Sequence, residues 1–379
     1  MVGARLRLLG ETIEDDIGRG RYHGGVIIVA RHGQIGFHEA FGHGYPQRRR
    51  PMTRDAVFNI FSLTKAFTNT LVFRAVEQGQ FALTTKVSAV IPEFSDGLRA
   101  DLTVYHLLTH TTGIGPIFNP YPDSRLDRLA DMVKAVCEVA RAGEYPGVKV
   151  NYSPMVSHVL LGEMARRTDR RRRPFRQIAA EDIFAPLGMV DTAIGLRADL
   201  KERKLVPDFL PTRAPMQHLS NNVAGQNGAF EDEQAEMPWV GAVSTAADLH
   251  RFAEMLRQGG QLDGVRIVSR AMLERATQNH TGDKPNELYK VHALARGWEP
   301  GPAYIGLGFS LRGEKIFQHQ FGTLTSPRTF GNYGAGSMLL WVDPEIDMTF
   351  VALSAGVMHE CDNIERFQRL SDIAVSAAI

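Results

Sequence analysis

A serine and a lysine stand three residues apart in Phe61-Ser62-Leu63-Thr64-Lys65. On a helix that spacing puts both side chains on one face, one turn from each other. With Ser62 opening the helix, its hydroxyl lies at the positive end of the helix dipole, where a developing oxyanion is favoured. Lys65 then reaches back to that hydroxyl as a base, or as the cation that acidifies one. Ser-x-x-Lys alone arises by chance about once in a chain of this length, so the pair needs support from other segments. His106 and His110 have metal-ligand spacing, but Leu107 stands where a zinc protease needs glutamate, and nothing nearby completes a ligand set. They read as structural, with His110 hydrogen-bonding in its surroundings and no metal or other cofactor expected. Gly306-Leu307-Gly308 lacks the Lys-Ser/Thr of a phosphate loop and leads into a strand pattern.

The elements that must hold Ser62 and Lys65 are legible in the periodicity. Leu6, Leu9, Ile13 and Ile17 follow helical spacing. Val26 to Ala30 and Ile35 to Phe41 read as a hairpin about Arg31-His32-Gly33-Gln34. Ser62 to Gln78 reads as a helix with Phe67, Leu71 and Ala75 on one stripe and Gly79 as its stop. Helical patterns then dominate to about residue 235, at Thr103 to Leu108, Leu126 to Ala140, Val156 to Arg167 and Gln177 to Phe184. Strand signals return as two hairpins. Gly306 to Arg312 and Lys315 to Phe321 flank Gly313-Glu314, and Ser337 to Val342 and Met348 to Ser354 flank residues 343–347. A helix from about Asp362 to Ala378 closes the chain. The expected architecture is α+β: an antiparallel sheet with terminal helices (1–78 and 236–379), an inserted helical lobe (79–235) and a cleft between them.

Length and composition are those of an ordinary soluble globular protein. The 379 residues suffice for a large core, and 44% hydrophobic with 22% charged residues is ordinary for a globular protein. The 43 basic and 42 acidic side chains nearly cancel, arguing against nucleic acid or an anionic membrane as partner. Arg170 to Arg173 reads as a solvated helix end. Cys137 and Cys361, far apart in sequence, imply no disulfide framework. Met1 to Asp16 lacks the apolar core of a signal peptide, and no segment has the length of a membrane span, so a soluble, cytoplasmic protein is expected.

Four segments in order resemble one family, the serine hydrolases related to class C β-lactamases, penicillin-binding proteins and family VIII carboxylesterases. Phe61 to Phe67 resembles its Ser-x-x-Lys nucleophile segment, and Thr103 to Gly113 is similar to its helix-and-turn segment. Tyr152-Ser153-Pro154, with Leu160-Leu161-Gly162-Glu163 after it, resembles its Tyr-x-Asn segment. Gly331-Asn332-Tyr333-Gly334-Ala335-Gly336 stands in the place of its third motif, usually Lys-Thr-Gly or His-x-Gly. Weaker matches at Ala185 to Met189, Ser244 to Leu249, Gly306 to Phe309 and Trp341 to Glu345 keep the same order, and the likeness runs from about His23 to about Ile379.

The resemblance implies a β-lactamase/transpeptidase-like fold and an acyl-serine intermediate. Ser62 becomes the nucleophile, and Lys65 and Tyr152 share the roles of base and proton relay; which of them takes the serine proton stays open, since each stabilises the charged form of the other. By position the oxyanion hole is the backbone N–H of Ser62 and of Ala335, with Asn332, Tyr333 and Gly334 beside the substrate. Two departures bear on specificity. Pro154 replaces an asparagine that contacts a substrate amide, and Asn332 replaces a cation that binds a substrate carboxylate. That pattern suits esterases and acyltransferases. The expectation is hydrolysis of small carboxylic esters, with transfer of the acyl group to another acceptor, a D-amino-acid peptidase or amidase, and a non-catalytic binding protein as alternatives. Arg328 is the cation closest in sequence to the third motif. Trp239, Tyr304 and Phe118 read as packing at the lobe junction, and specificity is expected in the loops Ile114 to Arg125 and Pro207 to Pro238.

Overall fold

A computed structural model describes residues 1–45, 50–118, 120–121, 127–205, 229–335 and 337–378. In chain order its strands are β1 (Gly24–Arg31), β2 (Gln34–Tyr45), β3 (Arg50–Pro51), β4 (Phe58–Asn59), β5 (Ala193–Ile194), β6 (Ala242–Ser244), β7 (Gln261–Leu262), β8 (Val265–Arg266), β9 (Ser310–Leu311), β10 (Phe330–Gly334), β11 (Met338–Asp343) and β12 (Met348–Ala355). Its α-helices are α1 (Gly3–Gly18), α2 (Thr64–Glu77), α3 (Val104–Leu108), α4 (Leu129–Val139), α5 (Val156–Thr168), α6 (Phe175–Ala179), α7 (Ala246–Arg257), α8 (Arg270–Ala276), α9 (Glu287–Ala295) and α10 (Glu360–Val375).

The main sheet runs β3-β2-β1-β12-β11-β10-β9, and neighbouring strands pair antiparallel. Hairpins from the two ends of the chain meet at β1 and β12, where Val26 faces Leu353 and Ile28 faces Val351. Because side chains alternate across a strand, each central strand feeds two cores. Ile27, Val29, Leu339, Trp341, Phe350 and Ala352 turn to one face, under α1 and α10. Val26, Ile28, Leu340, Val342, Val351 and Leu353 turn to the other, toward α7, in a core that continues to α2 and α5. This explains why these strands read as continuous apolar runs: both faces are covered. The architecture is the α+β one expected from the sequence, an antiparallel sheet covered by the terminal helices.

Two local expectations are corrected. Gly306 to Phe321 does not form a hairpin about Gly313-Glu314: only Ser310–Leu311 is strand, and Leu311 pairs with Phe330 of β10. The pairing continues toward the residues before β10, with the Arg312 and Gly313 N–H groups donating to the Thr329 and Pro327 carbonyls. Long-range pairing thus displaced the local one. Arg173 is also no solvated residue. It is buried and bonded to Asp169, Glu181 and Asp182, so the basic run sends one guanidinium inward.

Candidate active site

Ser62 lies on a 3-10 turn, Phe61–Leu63, that runs directly into α2, so the helix proper begins two residues later than the sequence suggests. The turn is strained and held. Phe61 has φ +48°, a left-handed conformation that bulky residues seldom adopt. Its ring is fully buried against Phe230, and the preceding Ile60 N–H donates to the Ala242 carbonyl at 3.0 Å. At its far end α2 stops as Gly79 predicts: Gly79 has φ +67°, its N–H donates to the Val76 carbonyl, and Gln80 N–H donates to Ala75.

Lys65, one turn along α2, is 2% exposed. Its Nζ lies 3.0 Å from Ser62 Oγ and donates to the Trp239 carbonyl at 3.2 Å. An ammonium buried without a carboxylate costs several kcal/mol, and hydrogen bonds to neutral acceptors return about 1–3 kcal/mol each. Desolvation therefore wins, and burial holds the Lys65 pKa well below the ordinary lysine value. Tyr152 closes the triangle. Its hydroxyl donates to Ser62 Oγ at 3.0 Å, and its ring centre is 5.3 Å from Lys65 Nζ. Burial raises the phenol pKa above its ordinary value, with the hydrogen bond to Ser62 opposing and Glu360 reinforcing.

The Tyr152 segment is positioned by buried polar groups. His110, at φ +54°, accepts the Ser153 N–H on Nδ1 at 3.1 Å and the Asn151 N–H on its carbonyl at 2.9 Å. Burial and the nearby Lys65 lower the His110 pKa to about 3, so the ring is a neutral acceptor. The Tyr152 N–H itself donates to Asn286 Oδ1 at 3.2 Å, and the same oxygen caps α9 by accepting the Leu288 N–H at 3.2 Å. Glu287 N–H adds a bond to the Val150 carbonyl at 2.9 Å.

On the sheet side, β10 passes so close to the serine turn that a Cβ on Gly334 would sit 2.7 Å from the Ile60 carbonyl. Only glycine fits there. Ala335 follows in the turn to β11, which is anchored from α10 at Ser337: Asn363 Nδ2 donates to Ser337 Oγ at 2.9 Å, and Arg366 Nη2 to its carbonyl at 3.1 Å. Asn332, 7% exposed, turns inward and donates to the Gly308 carbonyl at 3.0 Å. Asn69 of α2 donates to the same carbonyl at 2.9 Å, and its Oδ1 is 3.0 Å from Nε2 of the buried His158. Tyr333, on the opposite face of the strand, points toward α10, where its hydroxyl donates to Glu360 at 3.3 Å.

Ser62, Lys65, Tyr152, Asn332 and Tyr333 all line one pocket, which the sequence-derived set had scattered over 270 residues of chain. Much of its remaining wall was not anticipated. Asn286, Tyr289, Lys290, Trp298 and Phe317 come from α9, the strip after it and the segment misread as a strand. An Asn before a short helix was the available signal, as an N-cap. Phe118, Trp239 and Tyr304 do not line the pocket; Trp239 and Tyr304 are buried, and Trp239 contributes its carbonyl to Lys65. Residues 119, 122–125 and 207–228 of the two loops expected to carry specificity lie outside the described residues. Among the described residues no cluster of three His, Cys, Asp or Glu could hold a metal ion, and no helix is long and apolar enough to cross a membrane.

An antiparallel sheet with a helical region bearing a Ser-Lys-Tyr triangle defines the class of serine hydrolases built on the β-lactamase fold. The chain belongs to the Beta-lactamase family, whose model matches residues 9–371. It is 41% identical to esterase EstB of Burkholderia gladioli over 113 residues, 29% of each chain. A family VIII carboxylesterase structure superposes with TM-score 0.77 at 22% identity, covering 99% of this chain and 98% of that one. EstCE1, described as a hydrolase with promiscuous acyltransferase activity, superposes with TM-score 0.75 at 20% identity, covering 98% and 99%.

Proposed function

We propose that the protein hydrolyses small carboxylic esters through an acyl-Ser62 intermediate. The observation that carries this is Ser62 Oγ lying 3.0 Å from both Lys65 Nζ and the Tyr152 hydroxyl, with the lysine driven toward its neutral form by burial. A neutral amine has a lone pair for the serine proton, and a phenol with a raised pKa still has a proton to give. In this reading Ser62 Oγ bonds to the ester carbonyl carbon while its proton passes to Lys65. The carbonyl oxygen, now an oxyanion, is held by the Ser62 and Ala335 N–H groups. Collapse breaks the bond to the alcohol, which leaves with a proton delivered from Lys65 by way of the Tyr152 hydroxyl. Water then attacks the acyl-serine by the same route and frees the acid. The partner is a small ester; neither nucleic acid nor membrane enters the mechanism.

Loss of a cation at Asn332 and of an amide donor at Pro154 favours esters over carboxylate-bearing peptides and β-lactams. An alcohol or amine replacing water in the second half gives acyl transfer, and the acyltransferase activity named for EstCE1 makes this the second reading. The test is turnover of short-chain p-nitrophenyl esters by wild type beside Ser62→Ala, with fluorophosphonate labelling of both. Activity and label lost together in the variant support the reading; equal turnover in both proteins sinks it. Addition of a primary alcohol to the wild-type assay, with product identified by mass, separates transfer from hydrolysis.

A further inference from the structure

Beyond the reacting groups, the pocket has a wall that bond cleavage at Ser62 does not require. Gly297, at φ +76°, turns the chain off α9, and the Trp298 N–H returns to the Ala293 carbonyl at 2.9 Å. Pro300 and Pro302 then stiffen a strip fastened by the Ala303 N–H on the Lys284 carbonyl at 2.8 Å and by a bridge between Pro285 and Pro302. Across from Gly301 lies Phe317, whose ring occupies the space a side chain at 301 would need. Tyr304 at 6.2 Å, His319 edge-on at 5.3 Å and the Arg312 guanidinium at 5.9 Å fix that ring. Trp298 and Phe317 are partly open, so their apolar faces are in place before a ligand arrives.

The charge of the pocket points the same way. Lys65 is buried and engaged, and burial lowers the pKa values of His110 and His319 to about 3, which leaves both rings neutral. The other lining lysine, Lys290, has Glu287 at 3.7 Å, and no arginine lines the pocket among the described residues. Glu299 and Glu360 also line it, so the charge of the described lining weighs against a substrate carboxylate.

We infer that the substrate ester carries a bulky, neutral apolar group, aromatic or branched, seated against Trp298, Pro300, Pro302 and Phe317. This deepens the esterase reading and rests on it. Wild type is assayed by pH-stat on methyl butyrate, methyl 4-phenylbutyrate, 2-phenylethyl butyrate and monomethyl glutarate, all esters of primary alcohols. One of the phenyl esters is expected to exceed methyl butyrate in kcat/KM by about tenfold or more, because burying a ring in the transition state adds binding that a methyl group lacks. The glutarate falls below methyl butyrate. Phe317→Ala and Trp298→Ala lower the phenyl-to-methyl ratio, a quantity independent of how much of each preparation is folded. Methyl butyrate matching or outrunning both phenyl esters overturns the inference, as does a ratio unchanged in both variants. Absence of Ser62-dependent hydrolysis on all four esters sinks the esterase reading and this inference with it, whereas the ratio sinks the inference alone.

Discussion

The pocket has two walls built on opposite principles. The wall carrying the Ser62 turn, Lys65, β10 and the Tyr152 segment is largely buried, with Ser62 and Tyr152 half-buried, and its polar groups are fixed by contacts from different elements. The wall formed by α9 and the strip after it contains no buried residue in its helix, and Val291 and Leu294 face solvent at 64% and 57% exposure. That helix is attached at its ends, by Asn286 at its start and by Arg296 to Asp362 and Glu365 at its finish. Burial supplies what the chemistry needs, a shifted lysine and a rigid triangle. On the inference drawn above, the surface helix is suited to selection among substrates, because its face can change without disturbing the core.

The largest expected effect lies at the centre of the buried wall. Lys65→Met should abolish ester turnover, by about 10⁴-fold, yet raise stability by about 1 kcal/mol in chemical denaturation, because an apolar chain replaces a buried amine. The sign with pH follows from the lowered Lys65 pKa. The unfolded chain takes up a proton at Lys65 where the folded chain does not, so wild-type stability falls as pH drops below the ordinary lysine value, and the variant loses that slope. Wild-type kcat/KM should likewise fall toward acid as Lys65 protonates, with a midpoint below the ordinary lysine range. A pH–rate profile checks this; a limb at or above the ordinary lysine value would remove Lys65 as the base.

Gly334→Ala is next. Its methyl group meets the Ile60 carbonyl, so β10 must move off the serine turn, and kcat should fall by about 10²-fold with KM little changed. Asn286→Ala crosses from one wall to the other, since a single oxygen holds both Tyr152 and α9. We expect about tenfold loss of kcat/KM, shared between kcat and KM, with Asn286→Asp recovering most of it because the acceptor is kept. Equal damage from Ala and Asp would show that the acceptor is not what matters. The smallest effect belongs to the outer face of α9, where Val291→Ser should change stability by less than about 0.5 kcal/mol in a thermal melt.

What was legible in the sequence divides along the same two walls. Ser62 and Lys65 could be singled out by residue type and spacing, Tyr152 only through the resemblance of its segment, and the structure brings the three together; the strand runs of β1, β11 and β12 announced an antiparallel sheet covered by terminal helices. Helix α9 could not be read, since a helix that buries no residue leaves no apolar stripe. Lys315 to Phe321 reads like a strand, yet it pairs with no neighbouring strand: Ile316 is 80% exposed, and Phe317 to Gln320 form a continuous stretch of pocket wall. Asn332 shows a further limit: its residue type gave no sign that its amide nitrogen is held by the Gly308 carbonyl while the side chain lines the pocket.

That carbonyl of Gly308 bears on how the molecule comes apart. It accepts Asn69 from α2 and Asn332 from β10, and the Gly308 N–H reaches across to the Leu108 carbonyl at the end of α3. Pulling the helical region from the sheet would strand these buried donors and acceptors together, at roughly 1–3 kcal/mol for each group left without a partner. Neither half gains anything by loosening first. The knot therefore favours melting as one cooperative unit, and it ties survival of the Ser62 turn to survival of the whole sheet.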